Sequence, residues 1–175
     1  MIIVDFLDLI KNKRFGPIKL GDTKSSVLEL LGKPDGFSNP DFNPEFYDAI
    51  LYDRFEFNFR DNKLNSISNL RISYWNKIWC LNPQFHYQNS SFRVTSWFKK
   101  PWHDTKLQSI KQKLDLEKIT FVESKFLDSL TLTIDNNLEL IFSSKSSFDK
   151  DIDEWTNINI EKLDLRLTNF FLVDK

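Results

Sequence analysis

A repeated pattern is the sequence feature that most constrains how this chain can fold. Asp22-Thr23-Lys24 opens an apolar helical pattern, and a strand pair with a turn at Asp61-Asn62-Lys63-Leu64 follows it. Asp104-Thr105-Lys106 opens a second helical pattern, followed by a strand pair with a turn at Asp135-Asn136-Asn137-Leu138. The copies are 82 residues apart at the helix starts (22 to 104) and 74 at the turns (61 to 135). A helix and a strand pair bury their apolar faces together. The repeat therefore predicts an α+β fold with antiparallel sheets, two or three helices packed on one side, and two divergent helix-strand-strand units.

The length and composition suit one domain that covers residues 1–175. We expect a first α/β unit at 1–75, an aromatic-rich connection at 76–103 and a second α/β unit at 104–175, because no low-complexity linker separates the halves. The chain has 17 Phe, 5 Trp and 4 Tyr. Such rings each carry a large apolar area, so the predicted core is built from aromatic side chains.

Local patterns predict the elements of the first unit. Apolar residues at helical spacing indicate an amphipathic helix over 2–12, and a short extended segment follows at 18–21. Thr23 is the predicted N-cap of the next helix, which Gly32 ends. Alternating Phe55, Phe57 and Phe59 predict a strand with one buried face. Its partner, 64–74, loses phase once, so we expect a bulge near Ser66 to Asn69.

The second unit shows the same kinds of pattern. Leu107, Ile110 and Leu114 form a helical stripe, after which strands are predicted at 119–125, 129–135 and 138–144. The second and third of these strands should place their leucines and Phe142 inward, across a turn of the Asn-rich kind that hairpins prefer. A strand is predicted at 92–98 in the connection, and a last strand runs from Leu163 to Val173. Residues 144–154 read as a charged loop.

No pattern of catalytic, metal-binding or cofactor-binding residues stands out. Cys80 is the only cysteine, and the spacing of His86 and His103 to other candidate ligands fits no metal pair. The acidic run that starts at Asp149 begins like a calcium loop, but it has Glu154 where a glycine is needed and Ile160 where a bidentate glutamate is needed. We therefore predict no enzyme activity, no metal and no cofactor.

The chain carries no pattern of a membrane or export signal. Asp5 and Asp8 interrupt the apolar N-terminus, no basic residue precedes it, and no stretch approaches the roughly 18 apolar residues of a membrane span. A cytoplasmic protein without membrane contacts is the simplest interpretation.

Charge placement suggests where a partner could bind. Residues 35–53 carry five acids and no Lys or Arg, whereas 71–103 carry five bases and no acid. The acidic segment also holds aromatic residues, including Tyr52, and could meet a basic protein. The predicted site comprises Asp35, Asp41, Phe42, Glu45, Phe46, Tyr47, Asp48 and Asp53.

Two other interpretations of the charges stay open. The basic segment 71–103 could bind single-stranded nucleic acid, with cations on phosphates and rings stacked on bases. The residues for this alternative are Arg93, Trp97, Lys99, Lys100 and Trp102. The two segments could also face each other or simply be solvated. The sequence does not indicate an oligomeric state.

Residues 15–70 resemble a known group of bacterial proteins. The run from Phe15 to Thr23, the pattern Leu31-Gly32-Lys33-Pro34, and the strand from Ile50 to Phe59 are similar to immunity proteins of polymorphic and contact-dependent growth inhibition toxin systems. The shorter pattern, Gly21-Asp22-Thr23 followed by Leu31-Gly32-Lys33-Pro34, also resembles the helix of beta-lactamase-inhibitor-like repeats. The resemblance implies a cytoplasmic binding protein whose partner is a cognate toxin, covered at its active site or an essential surface.

Overall fold

The structure is a computed structural model that describes residues 1–37, 48–52, 55–69, 87–88, 90–98, 104–126, 129–143 and 165–174. The elements of these residues are β1 Ile2–Asp5, α1 Phe6–Asn12, β2 Arg14–Phe15, β3 Ile18–Lys19, α2 Lys24–Leu31, β4 Gly36–Phe37, β5 Asp48–Tyr52, β6 Phe55–Arg60, β7 Lys63–Asn69, β8 Tyr87–Gln88, β9 Phe92–Thr95, α3 Leu107–Leu116, β10 Val122–Phe126, β11 Ser129–Ile134, β12 Leu138–Ser143 and β13 Arg166–Val173.

A large antiparallel sheet dominates the described elements. Its eight strands follow the order β10-β11-β12-β13-β7-β6-β5-β4. A three-stranded sheet has the order β1-β9-β8, and β2 pairs with β3 in a small hairpin. The predicted α+β class with antiparallel sheets and helices is confirmed.

The chain divides into two compact units. The first contains residues 1–70, 84–97 and 171–175, and the second contains 71–83 and 98–170. Each unit holds a helix followed along the chain by a run of sheet strands. The assignment of residues 1–175 to a single domain stays a prediction.

The core of the first unit is a cluster of aromatic rings. Phe15 lies at its centre, with ring centroids 5.3 Å from Phe55, 5.1 Å from Phe57 and 5.5 Å from Phe92. Tilted and edge-to-face pairs at these distances each contribute about 0.5–1.5 kcal/mol beyond their buried area. All four side chains are buried. The alternation that predicted a half-buried strand at Phe55, Phe57 and Phe59 is therefore confirmed.

The N-terminal helix begins later than its apolar spacing predicts. Residues Ile2–Asp5 form β1, which runs parallel to β9 with Ile2 opposite Phe92. The Asp5 carboxylate accepts hydrogen bonds from the backbone N–H of Leu7 and Asp8 at 2.9 and 3.0 Å. Asp5 is thus the N-cap of α1, which spans Phe6–Asn12. The predicted helix over 2–12 is wrong for its first four residues. These residues pair as a strand, and the Asp5 cap places the start of the helix at Phe6.

Both hairpin turns follow the sequence closely. Asp61 and Asn62 have φ of 50° and 62°, and Asp135 and Asn136 have φ of 49° and 60°. Two successive residues with positive φ characterise the tight turn that matches the twist of antiparallel strands, and Asp and Asn tolerate it best after Gly. The predicted turns are confirmed. They connect β6 to β7 and β11 to β12.

The start of each helix is held by one strand in the same way. In the first unit Thr23 bridges Lys63 of β7, and in the second Lys106 bridges Arg166 of β13. The flanking hydrogen bonds also correspond. The pairs are Lys24 N to Asn62 O at 3.2 Å and Leu64 N to Asp22 O at 2.7 Å in the first unit, and Leu107 N to Leu165 O at 3.0 Å and Leu167 N to Thr105 O at 2.8 Å in the second.

This correspondence changes the alignment of the repeat. Counted over the described elements, the anchoring strand is the fourth after its helix in both units, namely β7 of the run β4 to β7 and β13 of the run β10 to β13. The hairpin β11–β12 therefore corresponds to β5–β6, not to β6–β7. The turns at Asp61 and Asp135 are therefore not equivalent, because each belongs to a different hairpin of its unit. Among the described elements, the repeating unit is a helix with four strands. Two tight turns share the same residue types because each needs positive φ, whatever its place in the sheet.

The caps of the two helices also differ. Thr23 accepts a hydrogen bond from Ser26 N at 3.2 Å and caps α2. In the second unit Lys106 occupies the N-cap position and makes no side-chain cap bond, while Thr105 is fully buried. The Asp-Thr-Lys motif of the second copy therefore supplies no threonine cap, because the N-cap position of α3 falls one residue later in the motif than that of α2.

The bulge in β7 lies just before the predicted place. Phe59 pairs with Leu64 and Asn58 pairs with Ser66, so Asn65 is the extra residue. The Asn65 carbonyl accepts a hydrogen bond from Asp174 N at 3.0 Å. The bulge that the loss of phase predicts near residues 66–69 is therefore present, with its extra residue one position before that range.

Candidate protein-binding edge

The acidic segment begins at an end strand of the large sheet. Gly36 and Phe37 of β4 pair with Leu51 and Ile50 of β5, and Asp35 N donates to Leu51 O at 2.9 Å. Among the described residues no strand pairs with the other side of β4. The end position of β4 in the strand order and the exposed residues Asp35 and Phe37 make this edge a candidate for contact with a partner.

Phe37 is the most distinctive side chain of this edge. It is 62% exposed, although it pairs directly with the fully buried Ile50. The Lys24 ammonium of α2 lies 5.9 Å from the centroid of its ring. A large exposed ring beside an exposed acid, Asp35, is the kind of anchor that protein interfaces bury. Phe37 is not among the predicted site residues, because an aromatic residue in a loop composition gives no sign of whether it packs inward. Its position two residues after Asp35 was the only available signal.

The structure describes two of the predicted site residues. Asp35 is exposed just before β4, and Asp48 begins β5, where its backbone pairs with Phe59. Neighbouring antiparallel strands thus hold the two ends of segment 38–47. The other predicted residues lie outside the described part of the chain. They are Asp41, Phe42, Glu45, Phe46, Tyr47 and Asp53.

Tyr52 is a core residue and not a surface anchor. It is fully buried, with its ring edge-on to Phe57 at 5.7 Å and to Phe92 at 5.5 Å. Its hydroxyl donates a hydrogen bond of 2.6 Å to the carbonyl of Gly32 at the end of α2. The interpretation of Tyr52 as an accessible aromatic of the acidic segment is therefore wrong. Tyr52 instead ties the end of the helix to the sheet.

The basic segment is described only in part. Arg93 is exposed on β9, while Trp97 is half-buried and stacks on Phe6, with ring centroids 5.7 Å apart and planes at 19°. A base would have to share or displace that stack. Lys99, Lys100 and Trp102 lie outside the described residues. The described geometry thus gives Trp97 a packing role in the first unit.

Glu56 has the most altered environment of the described acids. It lies on the face of β6 opposite the aromatic cluster, and it pairs across to Ser68 of β7, a buried residue. Burial raises the pKa of the Glu56 carboxyl above its ordinary value, and a hydrogen bond from Asn58 partly offsets this rise. A single half-buried carboxylate among serine and asparagine side chains gives this face a polar centre without forming an acid-base pair.

No metal centre is apparent in the described ranges, where no three His, Cys, Asp or Glu side chains are grouped to hold an ion. The candidates Cys80, His86, His103 and the acidic run at 149–153 lie outside those ranges. The absence of enzyme activity stays a prediction.

Comparison with known proteins gives no relative. The chain matches no family model, no curated protein and no solved structure. Within the residues described, none of the helices has the length and apolar character that crossing a bilayer requires.

Proposed function

We propose that this chain is a cytoplasmic immunity protein that binds a cognate bacterial toxin and neutralises it. The contact surface in this proposal is the β4 edge, defined by Asp35, Gly36 and Phe37, together with the acidic segment 35–53. The observation that carries it is the 62% exposure of Phe37 on an end strand at the start of that segment.

Each part of this surface has a physical role in binding. Burial of an exposed Phe removes a large apolar area from water, and such rings are frequent anchors of protein interfaces. The five acids of the segment would attract a basic surface and speed association with it. A nuclease toxin has such a surface, because its substrate groove must hold phosphates. Neutralisation by coverage requires no catalytic group on this chain.

The first test is complex formation with the product of the adjacent upstream gene, measured by co-purification and by protection of cells that express that product. We expect a complex and protection. If the two proteins neither bind nor protect, the assignment as an immunity protein is wrong.

The second test locates the surface. Phe37→Ala should weaken the complex by about 30-fold or more, as expected when an interface anchor worth about 2 kcal/mol is removed. Leu116→Ala is the control, since Leu116 is 79% exposed at the end of α3, outside both the β4 edge and β10. Equal affinities of the two variants, with the complex itself intact, would show that the toxin binds elsewhere.

The acidic residues are tested by charge reversal. Lysine at Asp35, Asp41, Glu45 and Asp48 should slow association and abolish its dependence on salt, since the steering charge is lost. The matched comparison is between two pairs of reversals: lysine at Asp35 and Asp48 should slow association, whereas lysine at Asp115 and Glu117, in the last turn and C-cap of α3, should leave the association rate unchanged. An association rate that responds equally to both sets would exclude the acidic segment as the steering surface.

A further inference from the structure

Strand β10 is unusually exposed for a strand with large apolar side chains. All five residues from Val122 to Phe126 are exposed, with Val122 at 69% and Phe126 at 74%. On one side β10 pairs with β11 along its whole length, from Val122 opposite Thr133 to Phe126 opposite Ser129. On the other side no strand within the described ranges pairs with it. An apolar edge of this kind is a template for one more strand.

The residues of β10 are complementary to themselves when the strand is reversed. The sequence Val122-Glu123-Ser124-Lys125-Phe126 has Ser124 at its centre, an acid on one side and a base on the other, and an apolar residue at each end. In an antiparallel pair centred on Ser124, Glu123 faces Lys125 of a second copy, and Val122 faces Phe126. Opposite charges and apolar pairs directly across strands stabilise a sheet.

We propose that β10 pairs with β10 of a second copy of this chain, antiparallel and centred on Ser124. The contact is isologous, so the same five residues meet on both sides of a two-fold axis. It joins the two large sheets edge to edge.

The charges select this register over others. Parallel pairing in register would set Glu123 against Glu123 and Lys125 against Lys125, and like charges directly opposite are destabilising. A shift of the antiparallel pair by two residues would remove both Glu-Lys pairs and would set Lys125 against Lys125 or Glu123 against Glu123, depending on its direction. Charges on an edge usually prevent association. Here the centred antiparallel arrangement sets both charges opposite a charge of the other sign, whereas the parallel and the two-residue-shifted arrangements set like charges opposite.

The Lys111–Glu123 ion pair is compatible with this pairing. Lys111 Nζ of α3 lies 2.7 Å from Glu123 Oε1, and the Glu123 side chain is 39% exposed. A carboxylate has two oxygens and can accept from two cations, so Glu123 can bind Lys111 and a partner lysine together. This second ligand for the carboxylate would strengthen the contact.

The small size of the contact predicts a weak dimer. A five-residue strand pair buries less area than the roughly 1,200–2,000 Å² of a stable interface. The dimer should therefore form in the upper micromolar range and dissociate on dilution, so sedimentation of the purified chain should be followed up to about 1 mM. A chain that sediments as a monomer throughout would overturn the proposal.

Charge exchange tests the register. Glu123→Lys and Lys125→Glu should each remove the dimer, because each sets like charges opposite at two places. An equimolar mixture of these two variants should form a heterodimer, since both opposed pairs are then attractive. The double variant Glu123→Lys/Lys125→Glu should dimerise again, and thermal unfolding of each variant checks that it folds. A dimer that survives both single changes, or a mixture that stays monomeric, refutes the pairing.

Cysteine cross-linking tests the two-fold centre. In a Cys80→Ser background, Ser124→Cys places two thiols directly opposite, at a Cα separation of about 4.5–5.5 Å that a disulfide can bridge. Val122→Cys is the control, because the two copies of that position are four residues apart along the strands, about 13 Å. Oxidation should join the first variant into a covalent dimer and leave the second a monomer. Equal cross-linking of both refutes the centre at Ser124.

The dimer and the toxin complex can be separated experimentally. Phe37→Ala should leave the dimer unchanged, because Phe37 lies on β4 and not on β10. A chain that dimerises but binds no toxin would contradict only the proposed function. A chain that binds the toxin but stays monomeric would contradict only the β10 pairing.

Discussion

Gly32 offers a sharp test of how the first unit is assembled. It ends α2 with φ 78° and ψ −159°, a backbone region that is essentially restricted to glycine. A Cβ at this position would also lie 2.5 Å from Ser91 Oγ and 3.6 Å from Ser91 Cβ. Gly32→Ala therefore meets two costs, one from the backbone and one from its neighbour.

The two costs can be estimated separately. The strained backbone costs about 1–3 kcal/mol, while the alanine recovers about 0.4–1 kcal/mol by restricting the unfolded chain. The clash is with the end of a short side chain. Rotation of Ser91 about χ1, away from its preferred rotamer, relieves the clash at a conformational cost of about 0.5–1.5 kcal/mol. We expect a net loss of about 1–3 kcal/mol, or roughly 2–12 °C in the unfolding midpoint of a chain of this size.

Thermal and urea unfolding of four variants measure the two terms. Gly21→Ala is the matched control, because Gly21 has φ 89° and nothing within 4 Å of its added Cβ. Gly21→Ala should therefore lower the free energy of unfolding only by the cost of its strained backbone. In the double variant Gly32→Ala/Ser91→Ala the clash is absent, so the two changes should be coupled by about 0.5–1.5 kcal/mol. Wild-type stability of Gly32→Ala, or additive effects with Ser91→Ala, would refute this account.

Two further predictions concern the caps and pH. Lys106→Ser supplies the missing side-chain cap of α3 and should raise the free energy of unfolding by about 0.5–1 kcal/mol. Thr23→Ala removes the cap of α2 and should lower the free energy of unfolding by about 1 kcal/mol. Destabilisation by Lys106→Ser in chemical unfolding would contradict this account. The folded-state pKa of Glu56 is raised, so the protonated form favours folding below the ordinary value of 4.5, and this contribution is lost as pH rises through the folded pKa. Glu56→Gln should flatten that part of the pH–stability profile and raise the midpoint at neutral pH by no more than about 2 °C, because the group is only half-buried; a profile parallel to the wild type would contradict it.

The candidate site could be predicted only in its outline. The acid content of residues 35–53 is a property of the sequence, and Asp35 is indeed exposed. The side chains that decide a contact were not predictable. Phe37 is exposed and Tyr52 is buried, although both are aromatic residues of the same segment. The difference arises because Tyr52 packs against Phe92, which is 40 residues away in sequence, while Phe37 lies on the strand that ends the sheet.

The local features of the fold were determined by the sequence itself. The Asp-Asn turns form because their residues tolerate positive φ, and the Phe55 strand is half-buried because its alternation matches the period of a strand. Thr23 caps α2 because its hydroxyl reaches the N–H of Ser26 within one turn. These features depend on contacts within a few residues, which a local pattern can encode.

The tertiary structure decided what depends on partners from distant parts of the chain. It anchored α3 to β13, so that within the described elements the repeat is a helix with four strands, where the shared motif had suggested a helix with two. It also turned Ile2–Asp5 into a strand, because β9 was available to pair with it. A strand's partner is chosen by long-range hydrogen bonding and burial, and turn or cap motifs carry no information about that choice.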